Sequence, residues 1–188
     1  MIGFSATGKS HSGRLAAQSL GAAFVDMDRL IVRRAGKQIS EIFEDDGEDA
    51  FRRIEREVLR EISGEPGRRV VSTGGGVPVD VRNREVMAAS GLTIRLMASA
   101  ETIHGRINRP SSRRNRRSGR QAAVRPMLAG SEAEETAIER VRQLLDERED
   151  AYASAADVAI DTEGREPPDV AAEIVALIRS RTDNSEAE

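Results

Sequence analysis

Gly3-Phe4-Ser5-Ala6-Thr7-Gly8-Lys9-Ser10 fits the pattern G-x-x-x-x-G-K-[ST], whose chemistry is the cradling of a phosphate chain. The two glycines let the backbone wrap around an oxyanion with successive N–H groups turned inward. Lys9 can reach the β- and γ-phosphates of a nucleotide as a point charge, and the Ser10 hydroxyl can ligate Mg²⁺. Lys9 and Lys37 are the only lysines in a chain that otherwise uses arginine. A compact ammonium in such a loop is hard to replace by a guanidinium.

Other residues could complete the chemistry. Asp26 and Asp28 lie two apart at what reads as the end of a strand, where an extended backbone would put both carboxylates on one face. One could stand in a Mg²⁺ shell while the other takes a proton from a substrate hydroxyl. The plainer alternative is a cap for the next helix. Thr73-Gly74-Gly75-Gly76 follows a strand, so its main-chain N–H groups could approach a ligand closely, or it could be an ordinary loop. Arg52 and Glu55 share one face of a helix and could be no more than a surface ion pair. Arg148 near Tyr152 says little alone. His11 and His104 have no acid or metal-ligand partner at useful spacing and read as structural.

These residues need elements to hold them. A helix is expected over 11–20, aiming its positive end at the phosphates and stopping at Gly21. A strand over 22–25 delivers Asp26 and Asp28, and a helix over 29–35 stops at Gly36. Ser40 should cap a short helix over 41–44. Ile54, Val58 and Ile62 recur at four-residue spacing in a long helix over 48–62. Strands over 70–73 and 92–97 alternate with helices over 83–90 and 100–108. A long helix over 132–153, a strand over 157–160 and a helix over 168–179 close the pattern, with a polar, disordered tail over 182–188. Strands alternating with helices argue a parallel sheet covered on both faces. Between Arg109 and Arg120 the chain is rich in Arg, Ser and Asn without apolar periodicity, and reads as a mobile loop. Its arginines could meet nucleic acid, but no aromatic is interleaved to stack bases. The phosphate loop should follow a buried strand of about five residues. Only Met1 and Ile2 precede Gly3, so the expectation is a segment upstream of Met1, or else a central strand cut to a stub.

Length and composition narrow the class. The 188 residues suffice for one domain with a substantial core. Hydrophobic residues make up 38% and charged residues 32%, with aromatics at 3%, so the core must rest on Ala, Val, Leu and Ile. A net charge of −3 gives no global pull toward nucleic acid or an anionic membrane. The absence of cysteine removes disulfides and thiolate metal sites and suits a cytoplasmic protein. No apolar run approaches the roughly 20 residues that span a bilayer. The phosphate loop also occupies the place of a signal peptide.

Taken in order, these pieces resemble the shikimate kinases, small P-loop kinases of the nucleoside-monophosphate-kinase type. The carriers are the P-loop, Asp26-x-Asp28, Phe51-Arg52-Arg53-x-Glu55, Thr73-Gly-Gly-Gly76, Arg125-Pro-x-Leu128-Ala-Gly130, and Arg148 with Tyr152. The resemblance covers nearly the whole chain. It implies an α/β P-loop NTPase fold, one kinase domain over 1–181, with a substrate-binding region about 28–62 and a lid about 106–130. It also implies transfer of the γ-phosphoryl of ATP to the 3-hydroxyl of shikimate, with Mg²⁺. By the likeness, Arg52 and Arg148 would hold the shikimate carboxylate, where a guanidinium fork binds two oxygens. Glu55 would orient Arg52. Asp28 would bind ring hydroxyls and act as base, with Gly74, Gly75 and Gly76 lining the pocket. Gly3, Ser5, Ala6, Thr7, Gly8, Lys9, Ser10 and His11 would wrap the ATP phosphates. Arg106 would lie over the nucleotide and Pro167 beside the adenine. Arg125, from the lid, would meet the transferring phosphoryl group. Ser10 and Asp26, the latter through water, would serve Mg²⁺. The expected partners are shikimate and ATP, with neither nucleic acid nor membrane, and the chain is expected to act as a monomer. This sequence has Ala6 where the family usually has glycine, and His11 where threonine is common. Ala6 is then required to keep to negative φ.

Two other readings compete. A kinase for another small molecule, such as gluconate or a nucleoside monophosphate, shares the P-loop but has no need of both Arg52 and Arg148. A non-catalytic nucleotide or nucleic-acid binder would use the 109–120 loop, and its oligonucleotide affinity would depend steeply on salt.

Overall fold

The computed structural model describes residues 1–109 and 134–185, with side chains to residue 181. The helices are α1 (Lys9–Ser19), α2 (Met27–Ala35), α3 (Ile39–Asp45), α4 (Gly47–Gly64), α5 (Val81–Ser90), α6 (Ala100–Asn108), α7 (Glu134–Asp146), α8 (Glu149–Ala155) and α9 (Pro167–Ser185). The strands are β1 (Ala23–Asp26), β2 (Arg69–Ser72), β3 (Ile94–Met97) and β4 (Val158–Asp161), and a single 3₁₀ turn covers Val77–Val79. β1 pairs with β2 and β3 with β4, both in parallel. A narrow seam joins the two pairs. Ile2 donates to the Ile94 carbonyl and accepts from Leu96 N–H, each at 2.9 Å, while Thr73 N–H reaches the Met1 carbonyl at 3.1 Å. The order across the sheet is therefore β1, β2, the Met1–Ile2 seam, β3, β4. Met1 and Ile2 thus run between β2 and β3.

Three apolar clusters hold the layers. Met27, Ile31, Ile39, Ile42, Phe51 and Val58 pack α2, α3 and α4 against one face of the sheet. Ala16, Leu96, Ile160, Val170 and Ile174 bind α1 and α9 to the other. Phe4, Ile103 and Val141 fasten the phosphate loop to α6 and α7. No helix among the described residues is long and apolar enough to cross a membrane.

Several local expectations are corrected. The short third helix is capped from Gln38, not Ser40, and the Gln38 N–H donates to the Glu41 carboxylate at 2.5 Å. The long helix expected over 132–153 is two helices, α7 and α8. It breaks at Glu147 and Arg148, where the Arg148 N–H shortens its reach to the Leu145 carbonyl. Arg148 itself sits at φ −107°, ψ −2°, outside the helical run. The closing helix starts at Pro167 and continues to Ser185, past the expected start of the tail. The loop beyond Arg109, with Arg125 and the rest of 110–133, lies outside the described residues.

Ile174 is wholly buried between α9 and the sheet. Ile174→Ala should lower unfolding free energy by about 2–5 kcal/mol. Urea melts check this, and an unchanged midpoint would show that α9 does not close the core.

Candidate active site

Gly8 caps α1 from φ +97° with no side-chain cap, so the first N–H groups of this helix are left without helical partners and face the loop. A helix that begins uncapped and without an acid in its first turn suits an anion. Gly3 closes the other end of the loop. A Cβ there would stand 2.3 Å from the Leu96 carbonyl oxygen, so only glycine lets the loop leave the sheet so tightly. Between them Ala6 takes φ +62°, the one positive φ outside glycine among the described residues. The expectation of negative φ at Ala6 is therefore wrong. Arg106 explains part of what holds it, donating to the Ala6 carbonyl at 3.4 Å and to the Thr162 hydroxyl and carbonyl at 2.9 and 2.6 Å. Thr162 is buried and donates in turn to the Met97 carbonyl.

Lys9 folds over its own loop, giving hydrogen bonds to the Gly3 and Phe4 carbonyls at 2.8 and 2.7 Å. Thr7 does likewise, its hydroxyl donating to Phe4 O. Ser5 stays partly exposed and His11 fully so, on the first turn of α1. Burial pulls the Lys9 ammonium from 10.5 down to about 8, opposed by the charges of Asp28 and Asp26.

Asp26 ends β1, but Asp28 does not continue it, because α2 starts at Met27. The two carboxylates meet around a helical turn instead of along an extended strand. The capping reading of Asp26 holds for one of its two oxygens. Oδ1 caps α2 through Arg29 N–H at 3.3 Å, while Oδ2 is buried with no hydrogen-bond partner. Ser10 Oγ lies 3.1 Å from Ser72 Oγ. The orphaned Asp26 oxygen and the Ser10 hydroxyl of the phosphate loop are hard oxygen donors, of the chemistry that fits Mg²⁺.

Asp28 Oδ1 is also shut from water without a partner, although the residue as a whole is half-buried. Burial raises its carboxyl from 3.8 to about 7, with Asp26 and Glu55 adding and Lys9 opposing. The carboxylate leans on the glycine triplet, since a Cβ on Gly74 would come 2.8 Å from Asp28 Oδ1 and 3.2 Å from Glu55 Oε1. A Cβ on Gly76 would meet Arg52 Nη1 at 2.4 Å. Arg52 bonds Glu55 at 2.9 Å and Glu48 at 3.0 Å. This is no surface pair, because the Glu55 side chain is only 2% exposed. Burial pushes its carboxyl up, against the pull of Arg52, Arg148 and Arg56. The break before α8 turns Arg148 inward, its guanidinium 5.4 Å above the Phe4 ring.

Sequence reasoning named Tyr152 only as a motif partner of Arg148 and missed its supporting role and the residues behind it. Tyr152 is fully buried, donates to the Gly75 carbonyl at 2.7 Å and is hydrogen-bonded by Arg148. Arg95 lies over its ring and pairs with Glu149 through two contacts at 2.7 and 2.5 Å. An arginine inside the apolar run Ile94-Arg95-Leu96 was the available signal, since a charge in a central strand demands a partner. Thr162 and Ser72 carried none. Pro167 stands at the first position of α9, a residue pre-shaped for a helix start.

The shikimate kinase family model matches residues 5–179. The chain belongs to the shikimate kinase family. It is 41% identical over 179 residues to the shikimate kinase of Geobacter sulfurreducens, covering 95% of this chain and 89% of that one. The shikimate kinase of Thermus thermophilus is 37% identical, over 93% and 86% of the two chains. Among solved structures, shikimate kinase from Acinetobacter baumannii in complex with shikimate superposes with a TM-score of 0.81, at 31% identity, over 96% of this chain and 91% of that one. A shikimate kinase is an ATP-dependent kinase, and a phosphate loop of the kind described above is where such enzymes hold their nucleotide.

Alanine in the left-handed region costs about 1–2 kcal/mol, and glycine's extra freedom when unfolded returns about half of that. Ala6→Gly should therefore raise Tm by roughly 1–4 °C. A fall in Tm would mean that Ala6 makes contacts worth more than its backbone strain.

Proposed function

We propose that Asp28 and Lys9 form the chemical centre of the shikimate kinase reaction in this chain, in which the γ-phosphoryl of ATP passes to the 3-hydroxyl of shikimate. The observation that carries this is the buried Asp28 Oδ1, without a partner and raised to about 7, beside the P-loop lysine. A base near neutrality is well matched to taking a hydroxyl proton. As the proton moves to Asp28, the shikimate oxygen attacks the γ-phosphorus in line and the bond to the ADP oxygen breaks. Lys9 exchanges its two carbonyl bonds for phosphate oxygens and balances the charge there. Bound Mg²⁺ would neutralise charge across the β- and γ-phosphates. Ser10 Oγ and Asp26 Oδ2, the latter through water, are the oxygens that would hold it.

Arg52 and Arg148 take the shikimate carboxylate, and Glu55 keeps Arg52 pressed on Gly76. Gly74 and Gly75 complete the wall. Gly3, Ser5, Ala6, Thr7, Gly8 and His11 enclose the phosphates, while Arg106 and Pro167 border the nucleotide. Arg125, carried by a lid over about 106–130, is assigned by family likeness to the transferring phosphoryl group. The chain works as a monomer in the cytoplasm, and residues 1–181 form one domain. These assignments separate it from a gluconate or nucleotide kinase, which has no use for two arginines facing one carboxylate.

The test is ADP release from ATP and Mg²⁺ with and without shikimate. Shikimate-dependent release is expected, and release that ignores shikimate would overturn the substrate. Lys9→Ala and Asp28→Asn should each lower kcat by roughly 100-fold or more with the fold intact. Arg52→Ala should act mainly on KM for shikimate, and an unchanged KM would remove it from the pocket.

The profile of kcat/KM for ATP against pH tests the same pair. Below about 7 Asp28 is protonated and cannot accept a proton, and above about 8 Lys9 loses its charge. A bell with limbs near those values is expected, the two belonging to the pair jointly. A profile flat from pH 6 to pH 9 would contradict both assignments.

A further inference from the structure

Arg95 stands in β3, flanked in the sheet by Ile2 on one side and Ala159 of β4 on the other. Its neighbours Ile94 and Leu96 are buried. The Arg95 side chain is only 10% exposed, and Glu149 is its one ion partner among the described residues. Nη1 donates to Oε1 at 2.7 Å and Nη2 to Oε2 at 2.5 Å, a planar two-point pairing that fixes direction as well as distance. A cation sunk this deep in an apolar strand is tolerated only while its anion stays.

The pair holds the break between α7 and α8. Glu149 is the first residue of α8, and Arg148 immediately before it caps that helix at φ −107°. Successive residues around a helix turn by about 100°. Anchoring Glu149 on β3 therefore sets the direction in which Arg148 leaves. That direction is toward the phosphate loop, with the guanidinium 5.4 Å from the centre of the Phe4 ring. A second hold comes from Tyr152 in the same helix, whose ring centre lies 5.1 Å from the Arg95 guanidinium. The single phenolic proton goes to the Gly75 carbonyl at 2.7 Å, which leaves the phenol oxygen to accept from Arg148. Arg95 thus touches both groups that fix Arg148: its neighbour in the chain and its neighbour in space. Stability alone does not require this arrangement. The Glu149 side chain is more than half exposed, and an apolar residue at position 95 would fill the strand without any buried charge.

We propose that Arg95 and Glu149 are positioning residues for shikimate binding, acting on the substrate through Arg148. This rests on Arg148 as a partner of the shikimate carboxylate, and it adds the pair that aims it. Neither residue touches the reacting atoms, so the pair sets KM for shikimate and leaves the phosphoryl-transfer step as it is.

Steady-state kinetics with shikimate and ATP varied separately test this on the full chain, on Glu149→Gln, Arg95→Met and Arg148→Ala, and on Arg148→Ala combined with Glu149→Gln. Glu149→Gln removes a charge and almost no packing. Arg95→Met keeps an unbranched stem in the strand without a lone buried cation. Each of these two should raise KM for shikimate by roughly tenfold, with kcat and KM for ATP within about twofold of the parent. Arg148→Ala should raise KM at least as much. Adding Glu149→Gln to it should change nothing more, because the pair then has nothing left to aim. An unchanged KM in Glu149→Gln and Arg95→Met, beside a raised one in Arg148→Ala, would overturn the proposal and leave the substrate assignment standing. A lower Tm with that unchanged KM would show the pair to be structural only. A rise from Glu149→Gln that persists in full without Arg148 would also overturn it, since the pair would then act by another route. An unchanged KM in Arg148→Ala would overturn both the proposal and the reading of Arg148 beneath it.

Discussion

The cost of burying Lys9 shapes everything around it. Its side chain is almost closed off from water, at 8% exposure for the residue, and an ammonium in that position must find oxygen atoms or give up its proton. The loop supplies two carbonyls, and Asp26 and Asp28 supply opposing charge from the end of β1 and the start of α2. Burial, with the charges of Asp26 and Glu55, raises Asp28 to about 7, and Lys9 holds that rise back. One electrostatic compromise thus links the two groups, each charge tempering what burial does to the other.

A second compromise lies across the glycine triplet. Glu55 is as buried as any apolar residue and survives there because Arg52 bonds it and Arg148 lies within reach of its charge. The two charge clusters, Lys9 with its aspartates and Glu55 with its arginines, approach within contact of Gly74 from both sides. Side chains on the triplet would force them apart. Tyr152 fixes the triplet from behind through Gly75, and Arg95 with Glu149 fixes Tyr152. The triplet gains its stiffness from this chain of contacts, which runs from β3 through α8.

How much of this the sequence disclosed depends on whether the information was local. The alternation of strand and helix, the P-loop and the Gly36 stop are written in consecutive residues, and the elements stand within a few positions of where periodicity and capping put them. The site residues were named from motifs; of them Asp28, Glu55 and Arg52 lie against the glycine triplet, and Lys9 and Arg106 bond the phosphate loop. Relations that depend on tertiary contact were not legible. Period two placed Asp26 and Asp28 on a shared face, yet α2 starts between them because Asp26 can cap it. Residues 146–150 are all charged, and the helix is interrupted where Arg148 turns toward Phe4 and Tyr152. Arg95 was the exception, a legible anomaly whose partner lay fifty-four residues away.

Ala6 shows how a locally unfavourable choice persists. In isolation alanine would leave the left-handed region, and the loop would lose the turn that brings its N–H groups inward. It stays because its neighbours over-determine it. Gly3 is wedged against Leu96, Phe4 is buried beneath α6 and α7, Thr7 bonds back to Phe4, and Arg106 draws the Ala6 carbonyl toward Thr162. Strain of about 1–3 kcal/mol is sustained only where surrounding contacts leave no alternative. The same contacts tie the loop to β3, to the exit of β4 and to α6. A movement of α6 would therefore be felt at Ala6 through Arg106, and the phosphate loop and α6 are mechanically one unit.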